Sequence, residues 1–280
     1  MVPSSDIVTQ SEKGRRFRAL HERDGAFIIP NPFDVGTALL LAHLGFEALA
    51  TTSAGYAFTI GRRDGALTRE QALAGAQAIA AAADLPVSAD LEHGFGDAPE
   101  TAAETIRMAA ALGVVGGSIE DSTGRKDSPI CDLELAAERI RAAAEAARAQ
   151  PFPFTLTARA ENYLHGRPDI NDTIKRLQAY QEAGADVLYA PGLTTRDEIA
   201  ALVRSVDRPV NVLMGLPGVH LTLADLSTLR VKRISVGSGL SRAALGAFLR
   251  AAREMRDSGT FTFSAEAVSS ISELSSIFPP

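Results

Sequence analysis

A handful of positions carry residue types from which chemistry could be built. Asp90 and Glu92 stand two apart in the run Ser88-Ala89-Asp90-Leu91-Glu92-His93-Gly94. On an extended segment that spacing puts both carboxylates on one face. Glu120-Asp121 ends another apolar run, and Arg159 is followed by Glu161 and Asn162. Thr51-Thr52-Ser53-Ala54-Gly55-Tyr56 is a small, polar stretch with Asp64 further on, and Asn211 interrupts a later apolar run. Asp64, Asp90, Glu92 and Glu120 brought near one axis would repel one another strongly. A hard dication resolves that repulsion: Mg2+ wants six oxygens, keeps several waters, and takes one or two carboxylates directly. Taken singly, each residue has a plainer reading. Asp-x-Glu is usually a solvated loop, Glu-Asp suits a helix N-terminus, and an arginine is commonly half of an ion pair. His93 suits Mg2+ poorly, and Cys131 reads as a small hydrophobe. The set outweighs its members only if one fold gathers them.

The elements supply that fold. Eight short apolar runs fall at 26–29, 48–52, 86–89, 114–119, 154–158, 187–190, 210–213 and 233–236. They alternate weakly with polar residues, as strands buried on both faces do. Helix-forming stretches separate them, most clearly at 68–83, 98–112, 132–149, 170–183 and 241–258. Thr68 with Gln71, and Ser241, fit helix N-caps, and Gly45, Gly113 and Gly184 fit the position just past a helix end. Strand–helix alternation implies a parallel sheet with right-handed crossovers. Eight such units in about 250 residues predict a single α/β domain over 1–280, a (β/α)8 TIM barrel. A doubly wound open sheet is the alternative, without the glycine-rich turn that would favour it. Residues 259–280 form a C-terminal helical extension whose Phe261, Phe263, Val268, Ile271, Leu274, Ile277 and Phe278 need a surface to bury against. In a TIM barrel the loops after the strands build the site, and the polar residues above all fall there.

The 280 residues carry a formal net charge of -6, with 46% hydrophobic and 22% charged residues. Nucleic acid and anionic membranes need concentrated positive charge, so neither is an expected partner. No apolar stretch reaches the roughly 18 residues that span a bilayer. The polar start, 1–14, lacks an apolar leader core, and a single cysteine permits no internal disulfide. A cytoplasmic location is the expectation.

The residues Ser53-Ala54-Gly55, Asp64, Asp90-Leu91-Glu92-His93-Gly94, Ser118-Ile119-Glu120-Asp121, Lys126 and Ala158-Arg159-Ala160-Glu161 resemble the isocitrate lyase / phosphoenolpyruvate mutase superfamily over 31–246. The resemblance implies Mg2+, with Mn2+ as a substitute, and a small 2-oxo or 2-hydroxy carboxylate substrate. It implies that Asp90 ligates the metal and that Asp64, Glu92 and Glu120 hold its waters. Ser53, the N–H groups of Ala54 and Gly55, Tyr56, Asn211 and Arg159 would hold the substrate beside Asp90. Glu120, Arg159, Lys126 and Ser128 would serve catalysis, with 122–132 as a gating loop. It also implies a homo-oligomer, dimer or tetramer, in which the C-terminal extension is exchanged between subunits.

Two departures stand out. Ser128 replaces the loop cysteine that the superfamily's isocitrate and methylisocitrate lyases use as an acid, and a hydroxyl is a weaker acid than a thiol. Pro191 stands where characterised members carry Glu or His. The expected activity is cleavage of a C–C bond beside a 2-oxo carboxylate through an enolate. The alternatives are phosphonate P–C chemistry and a metal-dependent oxo-acid binder with little turnover.

Overall fold

The computed structural model describes residues 8–267 and 270–278, so Val268 of the extension and residues 1–7 of the polar start lie outside the described residues. Eight parallel strands alternate with helices. The strands are β1 (Phe27–Ile29), β2 (Leu49–Ala50), β3 (Val87–Asp90), β4 (Gly116–Glu120), β5 (Thr155–Arg159), β6 (Val187–Tyr189), β7 (Val210–Leu213) and β8 (Arg233–Ser235). Each lies within or at the edge of an apolar run read from sequence. The main outer helices are α1 (Gln10–Glu22), α2 (Val35–His43), α3 (Ser53–Thr59), α4 (Arg69–Ala82), α5 (Pro99–Ala111), α6 (Leu133–Arg148), α7 (Ile170–Ala183), α8 (Arg196–Arg204) and α9 (Leu223–Thr228). The chain ends with α10 (Gly239–Ser258), a 3-10 turn at Thr262–Glu266, and α11 (Ile271–Ile277).

The strand order is β1-β8-β7-β6-β5-β4-β3-β2, a nearly closed (β/α)8 barrel. At the seam between β1 and β2 the Ala50 N–H donates to Pro30 O at 3.1 Å. Asn31 spans the same gap. Its Nδ2 donates to Thr51 O at 3.1 Å, and its Oδ1 accepts from the N–H groups of Val236 and Gly237 at 2.8 and 2.9 Å. Alanine, leucine, isoleucine and valine between sheet and helices form the main core. Arg176, Tyr180 and the Glu161 N–H all donate to buried Asp121, which pins the ends of β4 and β5 to α7. Thr68 and Gln71 form the reciprocal cap of α4, and Gly184 closes α7 at φ 109°. Ser241 is not a cap. The last long helix starts two residues earlier, and Ser241 is buried in its first turn.

Ser241 is the one buried residue of α10. Leu245, Phe248, Leu249 and Met255 are exposed along it. Burying one such side chain is worth roughly 1.5–3 kcal/mol, and the oligomer expected from the sequence would cover this face. The end of the extension turns back: the Phe278 ring lies near Gly36 of the same chain's α2. Light scattering at micromolar concentration should report a dimer or larger, and truncation after Ser258 should lower both the oligomer mass and the solubility. A monomeric parent protein would reject the assembly.

Candidate functional site

The C-terminal ends of the strands enclose a cavity of about 440 Å3 whose walls include Ser53, Asp64, Asp90, Glu92, Glu120, Arg159, Glu161 and Tyr189. Strand ends deliver the reactive groups: Asp90 closes β3, Glu120 closes β4, Arg159 closes β5 and Tyr189 closes β6. The ladder pairs Glu120 with Arg159 and Arg159 with Tyr189, so sheet register alone sets their order around the mouth.

Arg159 is the hub. Its guanidinium donates to Glu161, lies 3.3 Å from Glu120 Oε2 and 3.8 Å from Asp90 Oδ1, and sits 5.2 Å from the centre of the Tyr189 ring. Burial alone would lower its pKa, but Glu161 and Glu120 outweigh that and hold it well above the ordinary arginine value. Asp90 Oδ2 accepts from the Ser53 N–H at 3.0 Å and from Ser53 Oγ at 2.8 Å. Thr51 Oγ1 accepts the Asp90 N–H at 2.8 Å. Glu120 Oε1 accepts from Ser122 Oγ at 2.5 Å.

The acidic groups are crowded. Burial, then Asp90 and Asp64, pushes the Glu92 carboxyl up to about 7. Burial also raises Asp64, with Asp90 adding to it, and burial raises Glu120 against the pull of Arg159. Glu92 Oε1 is buried with no hydrogen-bond partner among the described residues. Its backbone sits in the left-handed region at φ 47°, a conformation that costs of order 1–3 kcal/mol in a residue with a side chain and recurs at functional sites. A raised carboxyl contributes stability below its unfolded value and loses it as pH climbs through its folded value. The metal-free chain should therefore lose stability from about pH 4.5 to 7. Urea midpoints measured across that range should fall, and Glu92→Gln should flatten the fall; an equal slope in both proteins would contradict it.

This donor set fits a hard cation. All four acidic groups offer oxygen, one oxygen is orphaned, and mutual repulsion invites positive charge. Among the described residues no three His, Cys, Asp or Glu side chains stand close enough to grip one ion together. Mg2+ commonly takes one or two carboxylates and keeps its waters.

A family model described as phosphoenolpyruvate phosphomutase matches residues 17–256. The chain belongs to the phosphoenolpyruvate phosphomutase family. A solved structure from Burkholderia cenocepacia J2315, provisionally titled a lyase/mutase, is 63% identical with a TM-score of 0.93, covering 95% of each chain. An uncharacterised protein of Mycobacterium tuberculosis is 38% identical over 86% of this chain and 89% of its own length. The oxaloacetate decarboxylase of Paraburkholderia xenovorans is 29% identical over 89% of this chain and 83% of its own. A phosphonopyruvate hydrolase solved with oxalate and Mg2+ is 26% identical, with a TM-score of 0.82 over 95% of this chain and 94% of that one.

Within this family member the expected site residues divide. Ser53, Ala54, Asp64, Asp90, Glu92, Glu120 and Arg159 border the mouth cavity. Asn211 sits deeper, inside the barrel, where its Oδ1 accepts from Arg233 and its Nδ2 donates to Ser235 Oγ. Tyr56 is not among the residues bordering the cavity; its ring packs against Gly75 of α4, where an added Cβ would lie 2.9 Å from it. The Gly55 N–H already donates to Thr52 Oγ1, because 53–59 is a capped helix and not the expected loop. Lys126 and Ser128 are exposed at the tip of 122–132 and do not border the cavity, whereas Ser122 and Gly124 do. The base of that loop is tied by the Ser122–Ile130 bridge, and Arg125 reaches Asp97 at 2.7 Å. Cys131 is buried beside Arg139, and burial pushes its thiol pKa up. The wall residues not anticipated as site groups include Tyr189 and His165. Glu161 stood in the recognised Arg-x-Glu motif without an assigned role.

Proposed function

We propose that this chain is a Mg2+-dependent lyase that cleaves a C–C bond adjacent to a small 2-oxo or 2-hydroxy carboxylate. The observation that supports it most is the placing of one arginine, Arg159, against a ring of carboxylates in a single mouth cavity. Asp90 would hold the ion, with Asp64, Glu92 and Glu120 holding its waters. When bound, the ion supplies Lewis acidity to the 2-oxo group and to the enolate oxygen. Arg159 presents a planar fork to the substrate carboxylate and to developing enolate charge. Ser53 orients Asp90 through its two hydrogen bonds, and Ser53 Oγ also borders the space for substrate. The 2-oxo acid class is supported by what relatives are named for: oxaloacetate decarboxylation in one, and oxalate with Mg2+ in a solved neighbour. The protein is further proposed to work in the cytoplasm.

Closure of 122–132 over the cavity would exclude water from the enolate and carry Lys126 inward from its exposed position. Lys126→Ala should then reduce turnover far more than it weakens oxo-acid affinity, by roughly 10²-fold or more if the lysine acts on the transition state. Equal losses in kcat and affinity would make it a simple binding group, and unchanged kinetics would remove it from the site.

A second reading, oxo-acid binding with little turnover, is favoured by Ser128 standing exposed where an acid is needed and by Pro191 on the strand-6 loop. Steady-state assays with Mg2+ over oxaloacetate, 2-methylisocitrate and phosphonopyruvate separate the readings. Turnover of a C–C substrate supports the lyase, phosphonopyruvate cleavage moves the assignment to P–C chemistry, and binding without turnover of any leaves the second reading.

A further inference from the structure

Below the mouth cavity the barrel interior holds a smaller cavity of about 60 Å3. TIM-barrel interiors are ordinarily filled by branched apolar side chains. Here the lining includes Asn31, Ser88, Ser118, Asn211, Arg233 and Ser235. Arg233 enters from β8 and is almost fully buried. Its Nε donates to Asn211 Oδ1 at 3.0 Å and its Nη2 to Thr157 Oγ1 at 2.9 Å, both neutral acceptors. Its Nη1 is buried without a partner among the described residues. Arg159, which lines the same cavity, is wrapped by three carboxylates. Arg233 has none within ion-pair reach among the described residues. Leaving a charge buried and unpaired is among the costliest arrangements in a protein interior.

We infer that this inner cavity is an anion-binding site, in which Arg233 holds a small monoanion such as a halide or the carboxylate of a one-carbon acid. The volume suits that size and exceeds what a single water needs, about 10–15 Å3. The lining offers the hydroxyls of Ser88, Ser118 and Ser235 beside the guanidinium. Thr52, Asp90, Arg159, Tyr189 and Gly237 border both cavities, so the inner one opens toward the mouth. An anion there would offset Arg233, which burial now pulls down to about 10. Arg233 itself takes no part in the metal binding or the reaction assigned to the mouth.

The parent protein tests it directly. Crystals soaked in sodium bromide, with data collected at the bromine edge, should show an anomalous peak within hydrogen-bond distance of Arg233 Nη1, and co-soaked formate should diminish it. Melting temperature should rise saturably by a few degrees with bromide at constant ionic strength set by gluconate. Arg233→Met should lose that response; if the variant does not fold, the parent crystals still decide. Ordered water at Nη1 with no anomalous peak, or melting that is indifferent to bromide, overturns the site.

Discussion

Asp90→Ala should abolish Mg2+-dependent thermal stabilisation and reduce turnover by at least about 10³-fold while the barrel stays folded. The side chain stands at a strand end, and its loss removes charge, two hydrogen bonds from Ser53, a longer one from the Glu92 N–H and the contact with Arg159 at 3.8 Å. Thr52 still caps the helix that Ser53 opens. Without added metal the sign reverses. Asp90 is among the charges that raise Asp64 and Glu92, so its removal lets both ionise at lower pH and relieves repulsion. The metal-free variant should therefore melt higher than the metal-free parent at about pH 8. Asp90→Asn completes the test, because it keeps an acceptor for Ser53 and loses the charge. Titration calorimetry with Mg2+ and melts with and without the ion read all of this. Parent-like Mg2+ affinity in either variant would remove Asp90 from the metal site.

Arg159→Met carries the second large effect, on both activity and stability. Its guanidinium neutralises Glu161 and Glu120 in a buried setting. Stripping one partner from a buried charge cluster typically costs 3–5 kcal/mol. The loss should shrink on acidification, since Glu120 and Glu161, already raised by burial, then protonate and need no counter-charge. kcat/KM should fall by about 10²–10³, the size seen when one donor to developing negative charge is removed. Arg159→Lys should restore more stability than activity, because an ammonium supplies charge without the planar fork. Activity of the lysine variant equal to the parent's would show that charge alone suffices. A methionine variant with unchanged kcat/KM would take Arg159 out of the chemistry.

Much of this architecture is legible in the sequence because parallel strands buried on both faces write themselves as apolar runs. Every strand lies at such a run, and Asp90, Glu120 and Arg159 then fall at strand ends without further argument. α1 was not legible. Gln10–Glu22 is largely polar and buries only a narrow stripe around Phe17 and Leu20. α3 is hard to see in the sequence, since seven residues containing Gly55 and two aromatics have little helical signature; Thr52, which caps it, is the available sign. Lys126 and Ser128 show a different limit. A motif fixes where a residue lies along a loop, but the loop's own hydrogen bonds decide where its tip points. Arg233 was the overlooked signal. A cation buried within a barrel strand must have a reason to be there, and the resemblance, whose motifs end elsewhere, gives none.

The incomplete ladder at the seam has a mechanical consequence. Around seven of the eight strand boundaries the barrel is stitched by main-chain pairs, which resist shear. Across the remaining one the load passes through a single amide contact and the Asn31 side chain. A ring weakened at one joint opens there first under stress. On its β2 side the seam continues into Thr52 and Ser53, which border the mouth cavity. Widening it by a fraction of an ångström would enlarge the substrate space without disturbing the Glu120–Arg159–Tyr189 side, which the continuous ladder keeps rigid. The wall that carries the charged groups is thus continuously laddered, and a larger ligand space would open at the unladdered one.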